Sequence, residues 1–332
     1  MNKELDFWQF VAERLYRGEN VMLLVVAESS GSSPGRQGYK MAVGADGELI
    51  GSIGGGAMEV NLVEQSRVVL ARSVAEESKF RQPILVEQLH RENVPDASGM
   101  ICSGRQTVIL KELNSSEVQA VDALTEDLQK GNEPWLVISE VAFKTAPHET
   151  EQQNSPLPYF HRYDNIFEYC DKLGPKNRLY IIGGGHCALA LSELMSALDF
   201  KTKVFDDRPG LNTIQKNEFA YQVKIVEGYD LIEHQIPEDN NSYVVVMTLG
   251  YASDKVVMQR LINRDFKYFG VLGSKAKMAT VMKELKAEGF PAERLDRIYT
   301  PIGLPINSHT PEEIAISIAA QIISIKNRRS EM

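Results

Sequence analysis

Cysteine is scarce. Three of the 332 residues are cysteine, Cys102, Cys170 and Cys187, and no two of them form a C-x-x-C pair. An odd, widely spaced set gives neither a disulfide framework nor zinc-ribbon spacing, so a reducing, cytoplasmic setting is expected. Long apolar runs are missing too. Stretches such as Val21–Ala27 fall far short of the ~20 residues that span a bilayer, and Glu4 and Asp6 stand where a secretion signal carries its apolar core. No membrane partner is therefore expected. Basic charge is in deficit, with 36 Lys and Arg against 45 Asp and Glu and a net charge of −9. A nucleic-acid partner needs a basic stripe, so none is expected. No Ser-His-Asp set, zinc-ligand cluster or Walker loop stands in the chain.

The most informative stretch is Arg178 to Ala188. An apolar strand runs into Gly183-Gly-Gly185-His186, and a helix-forming segment follows. A second strand, Lys201–Phe205, ends in Asp206-Asp207-Arg208. This is a G-x-G-x-x-A turn with an acid about 20 residues on, the spacing of a dinucleotide-binding β-α-β unit. In that reading Gly183 makes the tight turn and Gly185 admits a phosphate to the backbone. Ala188 lets the helix sit close to the sheet, and the helix N-terminus attracts an anion. The competing reading is a fold of the same shape whose crevice holds nothing.

The length favours two domains. Residues 1–143 read as a mixed α/β domain. It has a helix near 4–17, a strand at 20–28, a hairpin over 39–53, and a helix from 57 to about 77. Strands near 83–90 and 105–112, a helix at 115–130 and a strand at 134–142 follow. Residues 144–177 carry Pro147, Pro156, Pro158, Pro175 and the polar run Glu149–Ser155, and read as a linker with a short helix around Cys170. Residues 178–332 alternate strand and helix, which predicts a Rossmann-like parallel sheet covered on both faces. Thr310-Pro311-Glu-Glu313 is a capping box at the start of its final helix.

A second glycine cluster lies in the first domain. Ser30–Gly38 precedes one hairpin strand and Gly51–Glu59 follows the other, which brings both to one rim. Successive N–H groups at Gly54, Gly55 and Gly56 can form an anion nest. Ser32, Ser33, Arg36 and Lys40 can add hydroxyls and charge. The alternative is a pair of tight turns dressed with polar side chains. Glu59 reads either as a site acid or as an acid favoured by the helix dipole. Cys102, between apolar and glycine residues, is either a sulfur carrier or soft-metal ligand, or a packed thiol. His186 either faces a ligand or caps its helix, and Cys187 packs under the turn. Thr248 ends a strand where open α/β sheets bind ligands; Asp254, just after it, reads as a helix N-terminal acid.

Taken together these motifs resemble the XdhC/CoxI family of xanthine dehydrogenase maturation factors. The resemblance rests on Gly31-Ser-Ser-Pro-Gly-Arg36 with Lys40, on Gly51-Ser-Ile-Gly-Gly-Gly56 with Glu59, and on Met100-Ile-Cys102-Ser-Gly104. In the second half it rests on Gly183–His186, Asp206–Arg208, Gly270–Lys277, and Pro301–Leu304 through Ala319. It implies a factor that binds the molybdenum cofactor (molybdopterin), protects it, supports exchange of an oxo ligand for sulfur, and delivers it to a xanthine dehydrogenase-type apoenzyme. A cysteine desulfurase is the second implied partner, and a homodimer is the expected assembly. Cofactor handling is implied for the glycine loops, and molybdenum or sulfur handling for Cys102. Two departures stand out: Cys102 is followed by Ser103 where the family has glycine, and Thr248 by Leu249 where it has histidine. Two other functions fit the same residues. One is an NAD(P)-dependent oxidoreductase using Gly183, Gly185 and Asp206; the other is a structural subunit of a molybdenum enzyme.

Overall fold

A computed structural model describes residues 3–72, 82–90, 104–146, 158–164, 166–239 and 241–328. The chain divides into two compact units between Gly174 and Pro175. No helix among the described residues is long and apolar enough to cross a membrane.

The first unit begins with α1 (Lys3–Tyr16), β1 (Val21–Gly31), β2 (Lys40–Gly44), β3 (Leu49–Gly51) and α2 (Gly56–Arg72). Strands β4 (Ile84–His90) and β5 (Gly104–Leu113), helix α3 (Val118–Gln129), and strands β6 (Trp135–Ser139), β7 (Ala142–Ala146), β8 (Tyr159–Tyr163) and β9 (Ile166–Lys172) follow. The main sheet is antiparallel, in the order β3-β2-β1-β5-β4. Period-2 alternation along β1 sets its two faces. Val21, Leu23 and Val25 join a core with Phe7, Trp8, Val11 and Leu15 of α1 and Val121, Leu124 and Leu128 of α3. Met22, Leu24 and Val26 turn the other way, toward Leu62 and Leu70 of α2. The apolar positions of α1 recur every three or four residues, so one stripe faces the sheet.

The linker expected at 144–177 is corrected by this unit. Its described part is a sheet in the order β7-β6-β9-β8, and Cys170 lies on a strand rather than a helix. Phe167 and Tyr169 alternate with Glu168 and Cys170, and the two rings enter the same core as Trp8. The prolines and the polar run masked this short alternation in the sequence. Pro147, Pro156 and residues 149–155 lie outside the described residues.

The second unit comprises β10 (Asn177–Ile182), α4 (His186–Ser196), β11 (Phe200–Asp206), α5 (Asn212–Gln215) and β12 (Gln222–Ile225). It continues through β13 (Ser242–Val246), α6 (Tyr251–Leu261), β14 (Tyr268–Val271), α7 (Lys275–Ala287), α8 (Ala292–Leu295) and α9 (Pro311–Lys326). All four strand pairings are parallel, in the order β12-β11-β10-β13-β14. Leu179 and Ile181 pack with α4 and α9, while Tyr180 and Ile182 pack with α6 and α7. A sheet buried on both faces explains why these strands read as continuous apolar runs. Thr310 and Glu313 form the expected capping box on α9.

Trp8 is fully buried and meets the ring of Phe7 edge-on at 5.2 Å. Trp8→Ala is expected to destabilise the first unit by about 3–5 kcal/mol. The second tryptophan, Trp135, belongs to the same unit and reports the loss as a lower urea midpoint in its fluorescence.

Candidate functional site

The two N-terminal glycine loops meet closely at one rim. A β-carbon on Gly35 would stand 2.2 Å from the Ile53 carbonyl oxygen, and one on Gly54 would stand 2.4 Å from the Gly35 nitrogen. Backbone lies against backbone there, which only glycine permits. Gly104 pairs with Gly31, and a β-carbon on it would come within 2.4 Å of the Ser33 nitrogen. Beneath the rim runs a buried polar chain. Ser33 donates to Gln106 at 2.8 Å, Gln106 donates to Gln88 at 2.7 Å, and Gln88 reaches the Met58 carbonyl at 3.4 Å. Ser33 is thus a structural tie. Gln88 and Gln106 were not singled out from sequence, because a glutamine within an apolar strand gives no local sign that its partner lies on another strand.

The expected amide nest exists, but its occupant is internal. Glu59 Oε2 accepts from the N–H groups of Ile53 (2.8 Å) and Gly55 (3.0 Å) and from the Ser52 hydroxyl (2.7 Å). The Gly54 N–H donates to the Ser52 oxygen at 3.1 Å. Of the proposed nest, the amides of Gly54 and Gly55 are therefore spent within the loop, and Gly56 opens α2. Lys40 is also committed inward. Its ammonium lies 3.3 Å from Glu4 and 3.6 Å from Asp171. Burial pulls its pKa down, but the two carboxylates outweigh burial and hold it above the ordinary lysine value. Arg36 and Ser32 differ: both are exposed, and neither side chain bonds to another described residue. Cys102 lies outside the described residues; Gly104 is the first described position after it.

In the second unit the strand order reverses between β10 and β13, and open α/β sheets bind ligands outside the carboxyl ends at such a point. Gly183 has φ +107°, and a β-carbon there would fall 2.2 Å from the Met247 carbonyl oxygen, so the turn lies tight against the end of β13. Gly185 caps α4 without a side chain, and a β-carbon on it would meet nothing within 4 Å. His186 is exposed beside it, with no partner among the described residues. Cys187 is half-buried, and burial raises its pKa. The strand-borne Cys170 is pushed up to about 11, chiefly by burial, so it is no thiolate near neutrality.

Two acids hold the crevice together. Asp206 is fully buried and accepts four hydrogen bonds: from the Gly184 N–H (2.6 Å), the Arg208 N–H (2.8 Å), and the Arg208 guanidinium at Nε (2.8 Å) and Nη2 (2.7 Å). Its expected role toward a ribose is corrected by this geometry, since no lone pair is left over. On the other side, Asp254 is fully buried and takes the Thr248 N–H (3.0 Å), the Thr248 hydroxyl (2.5 Å) and the Lys277 ammonium (2.7 Å). Thr248 is thereby fixed at the end of β13, and Lys277, 29% exposed, stands beside it. Lys277 appeared in sequence only as part of the Gly270–Lys277 motif; its partner 23 residues upstream follows from the strand-helix repeat.

Burial raises the pKa of Asp206, but the bonds from Arg208 and Gly184 outweigh it, so its pKa lies below the ordinary carboxylate value. A depressed pKa contributes stability above the unfolded value and loses it as pH falls through the folded one. We therefore expect wild-type thermal stability, read by circular dichroism, to fall from about pH 5 to about pH 3. Asp206→Asn should flatten that fall and cost about 3 kcal/mol near neutrality, because it leaves the Arg208 cation without its counter-charge.

The fold and these glycine turns define a two-unit protein with a dinucleotide-type C-terminal half. Residues 15–80 match the XdhC and CoxI family, and residues 179–322 match the XdhC Rossmann domain. Matched by these two models, the chain belongs to the XdhC and CoxI family. It is 24% identical to YqeB of Escherichia coli (strain K12) over 312 residues, covering 91% of this chain and 43% of that protein. It is 25% identical over 331 residues to a probable xanthine dehydrogenase subunit of Bacillus subtilis (strain 168), covering 93% and 94% of the two. The crystal structure of a xanthine dehydrogenase from Bacillus halodurans superposes with a TM-score of 0.69 at 22% identity, over 99% of this chain and 98% of that one. That likeness speaks to the fold.

Proposed function

We propose that the protein is an accessory factor for a xanthine dehydrogenase-type molybdenum hydroxylase, binding the molybdenum cofactor and passing it to the apoenzyme. Family membership supports the accessory role, as does the name of the Bacillus subtilis relative. The observation that carries the cofactor reading is the N-terminal rim. There two glycine loops and the first described residue after Cys102 converge, and Arg36 and Ser32 stand exposed and uncommitted.

The rim suits an anionic pterin, though not through the amide nest, which Glu59 fills. Arg36 would hold the cofactor's phosphate as a charged fork, with Ser32 as a neutral donor. Among the described residues no group of three or more His, Cys, Asp or Glu side chains is placed to hold a metal ion. When bound, the cofactor supplies the molybdenum centre that the client enzyme uses. Cys102 is the residue we assign to sulfur handling, with a cysteine desulfurase as the source of that sulfur.

Two variants test this reading. Arg36→Ala should weaken binding of molybdopterin cofactor in calorimetry by about tenfold or more, as loss of a charge-assisted hydrogen bond of about 1.5–3 kcal/mol requires; an unchanged affinity would refute the phosphate role. Cys102→Ser should fold normally yet yield a client apoenzyme with little activity after reconstitution. Full reconstitution by the variant would remove Cys102 from the pathway.

A further inference from the structure

The carboxyl edge of the parallel sheet carries a recognition feature that the spacing of the motif misplaces by one residue. A carboxylate offers about four lone-pair sites. Asp206, the acid at the expected position, uses four on Gly184 and Arg208 and has no exposed surface. Its neighbour Asp207 is in the opposite condition. Its side chain is 39% exposed; Oδ1 receives only a long 3.4 Å bond from the Tyr229 hydroxyl and lies 3.8 Å from Arg208 Nε. Oδ2 accepts no hydrogen bond among the described residues.

We propose that Asp207 is the acceptor for a ribose, and that the crevice at the β10–β13 switch point takes a nucleoside diphosphate whose ribose 2′-hydroxyl is free. Three observations converge. Asp206 locks Gly184 and Arg208 into one rigid corner, so Asp207 is presented from a fixed backbone rather than a wandering loop. The position of Gly185 is open where a diphosphate would approach the backbone, while Gly183 is pressed against β13. The local charge is negative: Asp206 and Asp207 contribute two negative charges and Arg208 one positive. Burial, Asp206 and Asp207 raise the pKa of the Tyr229 phenol, so it stays neutral and donates. A 2′-phosphate would meet net like charge at that corner, whereas a diol donates into it. The Arg208 guanidinium does not reverse this sign, because its fork is already closed on Asp206.

The same diol chemistry belongs to a nicotinamide-adenine dinucleotide and to the nucleotide half of a dinucleotide pterin. This inference is independent of the reading of the N-terminal rim, so either can fail without the other. The test is calorimetric titration of the full chain with NAD, NADP and CDP. We expect NAD or CDP to bind, and NADP to bind at least about tenfold more weakly than NAD wherever NAD binds. Asp207→Asn should weaken the nucleotide that binds by about tenfold, and Asp207→Glu should retain most of the affinity, both at an unchanged melting temperature. NAD binding tighter than CDP assigns the adenine dinucleotide; the reverse assigns the pyrimidine nucleotide. The proposal is overturned if NADP matches or exceeds NAD, if Asp207→Asn keeps wild-type affinity, or if none of the three probes binds.

Discussion

Carboxylates turned inward hold three of the described loops that a ligand would meet in this protein. Glu59 gathers two backbone amides and a hydroxyl at the N-terminal glycine loop. Asp206 gathers a glycine amide and an arginine fork; Asp254 gathers a strand end and a lysine. Glycine-rich backbone has large conformational freedom, and fixing it costs entropy. An internal anion offsets that cost with charge-assisted hydrogen bonds, which are stronger than neutral ones. The loops are thus shaped before any ligand arrives.

This arrangement decides which groups remain for binding. Amides that would have served an external phosphate at Gly55 are spent on Glu59, and Lys40 is spent on Glu4 and Asp171. Among the described residues, the charged groups still turned outward include Arg36 at one unit's rim and Asp207 at the other's sheet edge. In the proposed readings recognition falls to single side chains at the edge of such corners, and these groups would lose little freedom on binding because their supports are already fixed.

Much of this was legible from the amino-acid order. The parallel sheet, its covering helices and the α9 capping box follow from strand-helix alternation and local cap chemistry, which are short-range signals. The close apposition of the two glycine loops was legible too, since a hairpin brings its outer ends together. Two things were not. Strands β8 and β9 are short and follow a polar, proline-bearing stretch, and the pairing of β9 with β6 is long-range. The commitment of Glu59, Lys40 and Asp206 was also hidden. A charged residue beside a glycine turn looks the same in sequence whether it faces out to a ligand or back onto the turn. Only the direction of the side chain separates the two, and that is set by partners such as Asp171 and Arg208.

The packing of α4 has a further consequence for how the chain is made. Ala188, Leu191 and Met195 lie in one core with Ala315, Ile318 and Ile322 of α9, so the glycine turn before α4 rests on a helix synthesised far later. The N-terminal unit has all its strands by Gly174 and can close while translation continues. The sheet edge around Gly183 must instead wait, its apolar face uncovered, until α9 leaves the ribosome.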